Sequence, residues 1–359
     1  MNYNYSEIND LLLDWYDLNA RILPWRENPK PYYVWVSEIM LQQTRVEAVK
    51  SYFERFINQL PDIDSLANTT EDKLFKLWEG LGYYNRARNL QKAAKIIIEE
   101  YNGIMPSDYN ELLKLPGIGS YTAGAIASIA YKIPEPAVDG NVLRVMMRVA
   151  GSFSDITKAS VKKELEQDIR EIMPRQRPGD YNQAIMELGA TICIPNGKPL
   201  CEKCPIMHLC EAFHRGTYMN IPVKPEKKPR KMEEKTVILF EKNKEYAIRK
   251  RENKGLLSGL WELPNLDGKL STLALEEILI KQGLENFEIK SLGEGKHIFS
   301  HVEWHMIGYH VIIQEKPMVA ENSFETYFID KSYIWVNKSK IDDEYSLPTA
   351  FEKYRNFIS

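Results

Sequence analysis

No excess of positive charge marks this chain: 47 Lys and Arg stand against 50 Asp and Glu, a formal net charge of −3. Nucleic-acid binders more often carry a basic balance, so any contact with DNA has to be local. No stretch approaches the ~18 apolar residues of a membrane span. The opening Met1-Asn2-Tyr3-Asn4-Tyr5-Ser6-Glu7 has neither the basic start nor the apolar run of a secretory leader. These absences predict a cytoplasmic protein with no membrane partner. Internal repeats and low-complexity tracts are also missing, which excludes solenoids and disordered arrays. Cysteine is scarce and confined. All four lie between Cys193 and Cys210 rather than scattered as in a disulfide framework, which points to metal.

What is present fits an ordinary globular protein, and 359 residues exceed one domain, so two or three separate cores are expected. Residues 1–216 read as helix after helix, with apolar residues spaced by three and four. Val36, Ile39, Met40, Gln43, Val46, Val49, Phe53 and Phe56 form one such stripe, interrupted only by Gln43. The prolines and dense charge between Pro222 and Lys235 cannot support a packed element, so 217–234 is predicted to be a linker. From 235 to 359 the period becomes two, in Thr236–Phe240, Tyr246–Arg249 and His305–Ile313, with a helix predicted near Leu273–Gln282. The expected fold is therefore multidomain: an all-α domain followed by a C-terminal α/β domain.

Three motifs carry chemistry. Leu115-Pro-Gly-Ile-Gly119, between helices spanning about 112–130, has two glycines that permit positive φ and close backbone approach. Amides of Gly117, Ile118 and Gly119 at a helix start can face a phosphate, reading DNA without a basic surface. The plain alternative is a helix-loop-helix capped by glycine. In the second motif, Cys193, Cys201, Cys204 and Cys210 are separated by seven, two and five residues. Four soft thiolates suit tetrahedral zinc or an iron–sulfur cluster, and the single short spacing favours the cluster. Third, Glu38 and Asp139 are candidate carboxylates. Unaided, Glu38 lies off its helix's apolar stripe and reads as a surface carboxylate, while Asp139 reads as a helix N-cap.

Together, the hairpin, Val138-Asp-Gly-Asn-Val142 and the cysteine cluster resemble the helix-hairpin-helix DNA glycosylase superfamily. Leu23-Pro-Trp-Arg26, Ser37-Glu-Ile-Met-Leu-Gln-Gln-Thr44 and Gly80-Leu-Gly-Tyr-Tyr-Asn-Arg-Ala-Arg88 are similar to its adenine-specific, MutY-type branch. Nearly the whole chain is covered. The resemblance implies a glycosylase domain holding a 4Fe-4S cluster and a Nudix-like lesion-recognition domain. It further implies a monomer acting on double-stranded DNA with adenine opposite 8-oxoguanine, bound to the nucleoid through that DNA. Glu38 would protonate adenine N7, Asp139 would stabilise the sugar cation, and Tyr121 and Asn141 would position Asp139 or the sugar. Arg26, Gln43, Thr44, Leu81 and Tyr83 would contact the lesion pair or wedge beside it, and Phe299-Ser300-His301 would read 8-oxoguanine, whose N7 has become a donor.

Two departures matter. The first cysteine spacing is one residue longer than the family's, which shifts a loop without removing a ligand. Bifunctional endonuclease III-like relatives carry a lysine at the position of Tyr121; tyrosine has no amine for a Schiff base, so a monofunctional enzyme is expected. The rivals are such a glycosylase-lyase, a noncatalytic lesion sensor, and a Nudix hydrolase. The last is disfavoured because Thr272–Lys281 lacks the family's acidic arrangement for magnesium.

Overall fold

The computed structural model describes residues 5–226, 229–314 and 332–359. These divide into two compact units, and the division is not linear in sequence: Met1–Thr69 with Asn85–Glu226 form one, Thr70–Tyr84 with Lys227–Ser359 the other.

The first unit is helical. Its core joins Leu12 and Tyr16 of the Asn9–Asn19 helix, Val142–Val149 of the Gly140–Val149 helix and Tyr181–Leu188 of the Pro178–Thr191 helix. The stripe from Val36 to Phe56 is two helices, Pro31–Leu41 and Val46–Gln59. Gln43 occupies the turn between them at φ 59°, left-handed backbone that an uninterrupted helix excludes. The Pro31–Leu41 helix is apolar nearly all round and accordingly buried from Val34 to Met40. That corrects the surface reading of Glu38, which the helix carries inward.

Missing β-carbons let backbones close around the site. A Cβ on Gly124 would meet the Pro136 carbonyl oxygen at 2.0 Å, and one on Gly189 would meet Asn141 Cβ at 2.7 Å. Neither position tolerates alanine without moving the segment that carries Asp139.

In the second unit, the described residues form a mixed sheet of seven strands: β1 (Lys231–Lys242), β2 (Glu245–Lys250), β3 (Trp261–Glu262), β4 (Asn265–Asp267), β5 (Phe287–Ile298), β6 (Val302–Ile313) and β7 (Tyr333–Val336). The main order is β3-β2-β1-β6-β5, with β1 and β6 parallel and β4 and β7 pairing β1 and β2. Residues 231–234 are thus strand rather than linker. Alternation on β1 sends Val237 and Leu239 to one apolar face and Ile238 and Phe240 to the other, where the Thr272–Lys281 helix packs through Leu275 and Leu279. Gly308 on β6 leaves room for the Tyr354 ring, which a Cβ would meet at 2.0 Å.

Candidate active site and lesion-reading surface

Asp139 caps the Gly140–Val149 helix as its residue type predicts. Oδ1 accepts from the amides of Asn141 and Val142, both at 2.8 Å, while Oδ2 accepts from Asn141 Nδ2 at 2.7 Å. Cap and candidate catalytic group are one residue. The cap orients the carboxylate and leaves Oδ2 with a lone pair to spare. Burial raises the Asp139 carboxyl above its ordinary value, and these donors oppose the rise.

Glu38 is 5% exposed. Tyr121 Oη donates to its Oε2, leaving Oε1 without that donor. Burial is the main cause that pushes the Glu38 carboxyl up to about 7, with the nearby Asp139 charge adding and Tyr121 and Arg26 opposing. The structure therefore makes Glu38 a carboxylic acid that is half protonated near neutrality, next to a second carboxylate held by a different set of donors.

Several supporting residues gave no signal in sequence. Asn182 is buried; its Oδ1 accepts from the Ala137 amide and its Nδ2 donates to Ser128 Oγ and the Glu135 carbonyl, fixing the approach to Asp139. Glu187, 1% exposed, accepts from Arg21 and, at 2.8 Å, from Arg26 Nη2, while the Arg26 guanidinium lies 5.7 Å from the Tyr16 ring centroid. Arg26 is thus anchored inside the unit. Arg86 Nη1 donates to the carbonyls of Ile39, Met40 and Gln42, gathering the end of the Pro31–Leu41 helix and presenting exposed Gln43. Thr44 follows in the same turn, half-buried. A buried residue that holds backbone carbonyls has no periodicity to reveal it.

At the hairpin, Gly117 adopts φ 80° as expected, but Gly119 is extended and serves as N-cap of the Ser120–Ala125 helix with no side chain capping it. The Ile118 side chain is buried and its amide donates to the Leu115 carbonyl, so it is the turn's internal staple. Lys162 Nζ reaches Ser120 Oγ at 3.1 Å, placing a cation at this helix start.

The four cysteines form no disulfide, and all line one cavity with Val145, Arg148 and Tyr218. Burial pushes the Cys204 thiol up to about 12 and Cys210 to about 11. Arg148 Nη1 donates to Cys193 Sγ at 3.2 Å. No three Cys, His, Asp or Glu side chains among the described residues close on a single-ion site.

In the second unit, Phe299-Ser300-His301 is the tip of the β5–β6 hairpin, closed by the Phe299 amide donating to the Val302 carbonyl. Phe299 packs edge-on against His297 and Trp304, with centroids at 4.6 and 5.0 Å; Ser300 and His301 are exposed. Tyr83 is 49% exposed, and its hydroxyl lies 2.9 Å from Ser300 Oγ. Leu81, by contrast, is buried. Glu262 on β3 is buried and paired with Arg249 and Arg251.

The HhH-GPD superfamily base excision DNA repair model matches residues 36–171 and the NUDIX domain model residues 236–356. The adenine DNA glycosylase of Buchnera aphidicola subsp. Schizaphis graminum is 35% identical over 349 residues, 96% of each chain. This chain belongs to the adenine DNA glycosylases. The human adenine DNA glycosylase is 35% identical over 352 residues, 81% of this chain and 64% of its own. A solved thermostable thymine-DNA glycosylase aligns with TM-score 0.53 and 28% identity, over 58% of this chain and 96% of its own. An endonuclease III in a non-covalent DNA complex gives 0.51 and 26%, over 58% and 96%. As an adenine DNA glycosylase the chain is a hydrolytic N-glycosylase of base excision repair that binds duplex DNA. Its helical unit carries the glycosylase fold, and no helix among the described residues is long and apolar enough to cross a membrane.

Proposed function

We propose that this glycosylase flips out and excises adenine opposite 8-oxoguanine, and opposite guanine, as a monomeric, monofunctional enzyme. The observation that carries the reading is the buried Glu38–Tyr121 pair beside Asp139, with the Glu38 carboxyl near 7. Glycosidic cleavage needs a proton on the leaving base and negative charge beside the sugar cation. Glu38 supplies the proton to adenine N7, and Tyr121 holds its far oxygen. Asp139, oriented by its cap and by Asn141, stabilises the oxocarbenium-like sugar until water attacks. Extrusion of the nucleotide costs a few kcal/mol, which pocket contacts offset.

Tyr121 has no amine for a Schiff base, which supports hydrolysis without strand cleavage. The uncapped start of the Ser120–Ala125 helix and Lys162 suit a phosphate. Gln43, Thr44, Tyr83 and the Phe299–His301 tip suit base edges, the exposed Ser300 and His301 being acceptors for an N7 donor. Cys193, Cys201, Cys204 and Cys210 fit a 4Fe-4S cluster, because four soft thiolates line one shared cavity. When bound, the cluster supplies the positive charge that keeps these buried sulfurs deprotonated. A purified protein with broad visible absorption from an iron–sulfur chromophore is the expected result; a colourless zinc protein contradicts it.

The reaction itself is tested with an end-labelled duplex carrying adenine opposite 8-oxoguanine, sampled with and without alkali. Strand breakage only after alkali is expected. Breakage without alkali contradicts monofunctional hydrolysis, and tight binding without excision contradicts an enzyme at this lesion.

A further inference from the structure

The segment Thr70–Tyr84 belongs to the same compact unit as the Nudix-like domain, although it lies within the glycosylase half of the sequence. Two carboxylates tie it there: Asp72, which accepts from Lys250 Nζ at 2.8 Å and Trp261 Nε1 at 3.1 Å, and Glu79. Glu79, the residue that ends the Glu71–Trp78 helix, accepts from the Leu347 amide at 3.0 Å and from Arg355 Nη1 at 2.9 Å through Oε1, and from Lys76 Nζ at 2.7 Å through Oε2. Lys76 Nζ also donates to the carbonyls of Ile341 and Tyr345, and Arg355 Nη2 donates to Asp342 at 2.8 Å. Glu79, Lys76 and Arg355 are each at most a quarter exposed, so these charge-assisted bonds are shielded.

The next four residues bend sharply. Gly80, Gly82 and Tyr83 all have positive φ, at 98°, 68° and 48°. A tyrosine in that region persists only where its surroundings over-determine it. Here they do: Trp78 Nε1 donates to the Gly82 carbonyl at 3.1 Å, Tyr84 Oη lies 3.2 Å from Ser346 Oγ, and Tyr83 Oη meets Ser300 at the hairpin tip. The loop is clamped before and after Tyr83 to residues 346 and 347, then touches the tip that carries Phe299–His301.

We propose that Glu79 is a positioning residue for lesion discrimination: through Leu347, Arg355 and Lys76 it sets the bend that presents Tyr83 at Ser300. It touches no substrate. The proposal rests on the reading that Ser300 and Tyr83 recognise 8-oxoguanine. Its distinctive consequence is coupling, because a residue that acts by placing Tyr83 against Ser300 has nothing left to place once the Ser300 hydroxyl is gone.

The test uses the whole chain and measures single-turnover excision of adenine opposite 8-oxoguanine and opposite guanine at limiting enzyme, taking the ratio of the two rate constants. Glu79→Gln and Arg355→Gln are expected to lower the ratio about ten-fold while the rate opposite guanine at saturating enzyme stays within about two-fold of wild type. In a Ser300→Ala background, Glu79→Gln is expected to leave the ratio unchanged. An unchanged ratio in both single variants overturns the proposal, as does equal loss on both duplexes or a full further loss in the Ser300→Ala background. If Glu79→Gln does not fold, Arg355→Gln, alone and with Ser300→Ala, decides the question by the same ratios. A wild-type ratio near one, or no effect of Ser300→Ala, contradicts the lesion-reading claim itself and overturns both.

Discussion

In the helical unit the carboxylates proposed for the chemistry lie under cover, with Glu38 5% exposed and Asp139 held by an amide cap. In the second unit the residues proposed to read the lesion stand in solvent, with Tyr83 49% exposed and Ser300 and His301 at a hairpin tip. The difference follows from what each task demands. A general acid for neutral pH has to be taken out of water, since burial is what lifts a carboxyl from near 4.5 to about 7. A reader of base edges has to leave its acceptors unburied until DNA arrives. Accordingly the first unit places its groups by packing, through Gly124, Gly189 and Asn182, and the second by a clamped loop and a tight hairpin.

This contrast is most exposed to test at the chemistry. Asp139→Asn and Glu38→Gln are expected to slow single-turnover excision by on the order of 10³ on either duplex, while binding to the duplex persists. Loss of binding in step with rate would make them structural instead.

The next effect is one of stability. Because the Glu38 carboxyl is raised in the fold, both states are protonated below about 4.5 and the residue costs nothing there; as pH rises towards 7 the unfolded chain releases its proton more readily, and the fold loses about 3 kcal/mol that is not regained at higher pH. Glu38→Gln is therefore expected to unfold later than wild type in urea at pH 8, with the advantage gone at pH 4. Excision by the wild type is expected to fall about ten-fold per pH unit above roughly 7. A flat profile there would remove Glu38 as the acid.

Asn182→Ala comes third. It strands the Ala137 amide and two further partners, and about 2 kcal/mol of stability is expected to go, read as a lower urea midpoint. Smallest is Ser300→Ala, with an expected loss of about ten-fold in preference for 8-oxoguanine over guanine and little change opposite guanine.

Much of this was legible in the residues. The change of apolar period from helix to strand marked two folds, the hairpin glycines marked a turn at Gly117, and Asp139 read as a cap because it is one. The stripe through Gln43 misled, since a turn at φ 59° interrupts two helices whose apolar positions happen to stay in phase. Glu38 looked exposed because periodicity assumes a helix with one wet face, and the Pro31–Leu41 helix has none. Thr70–Tyr84 gave no warning of its partners: Glu79, Lys76 and Arg355 are ordinary surface residue types, and only the three-dimensional structure pairs them. Nor could spacing show that Leu81 is buried, or that Arg26 commits its guanidinium to Glu187.

The proposal puts the chemistry on Asp139 and Glu38 and the discrimination of 8-oxoguanine from guanine on Ser300, and one experiment separates them: single-turnover excision on adenine opposite 8-oxoguanine and opposite guanine by wild type, Asp139→Asn and Ser300→Ala. We expect Asp139→Asn to abolish excision on both duplexes and Ser300→Ala to lower only the ratio between them. Loss of excision opposite guanine in Ser300→Ala, or a changed ratio with residual excision in Asp139→Asn, would contradict that division.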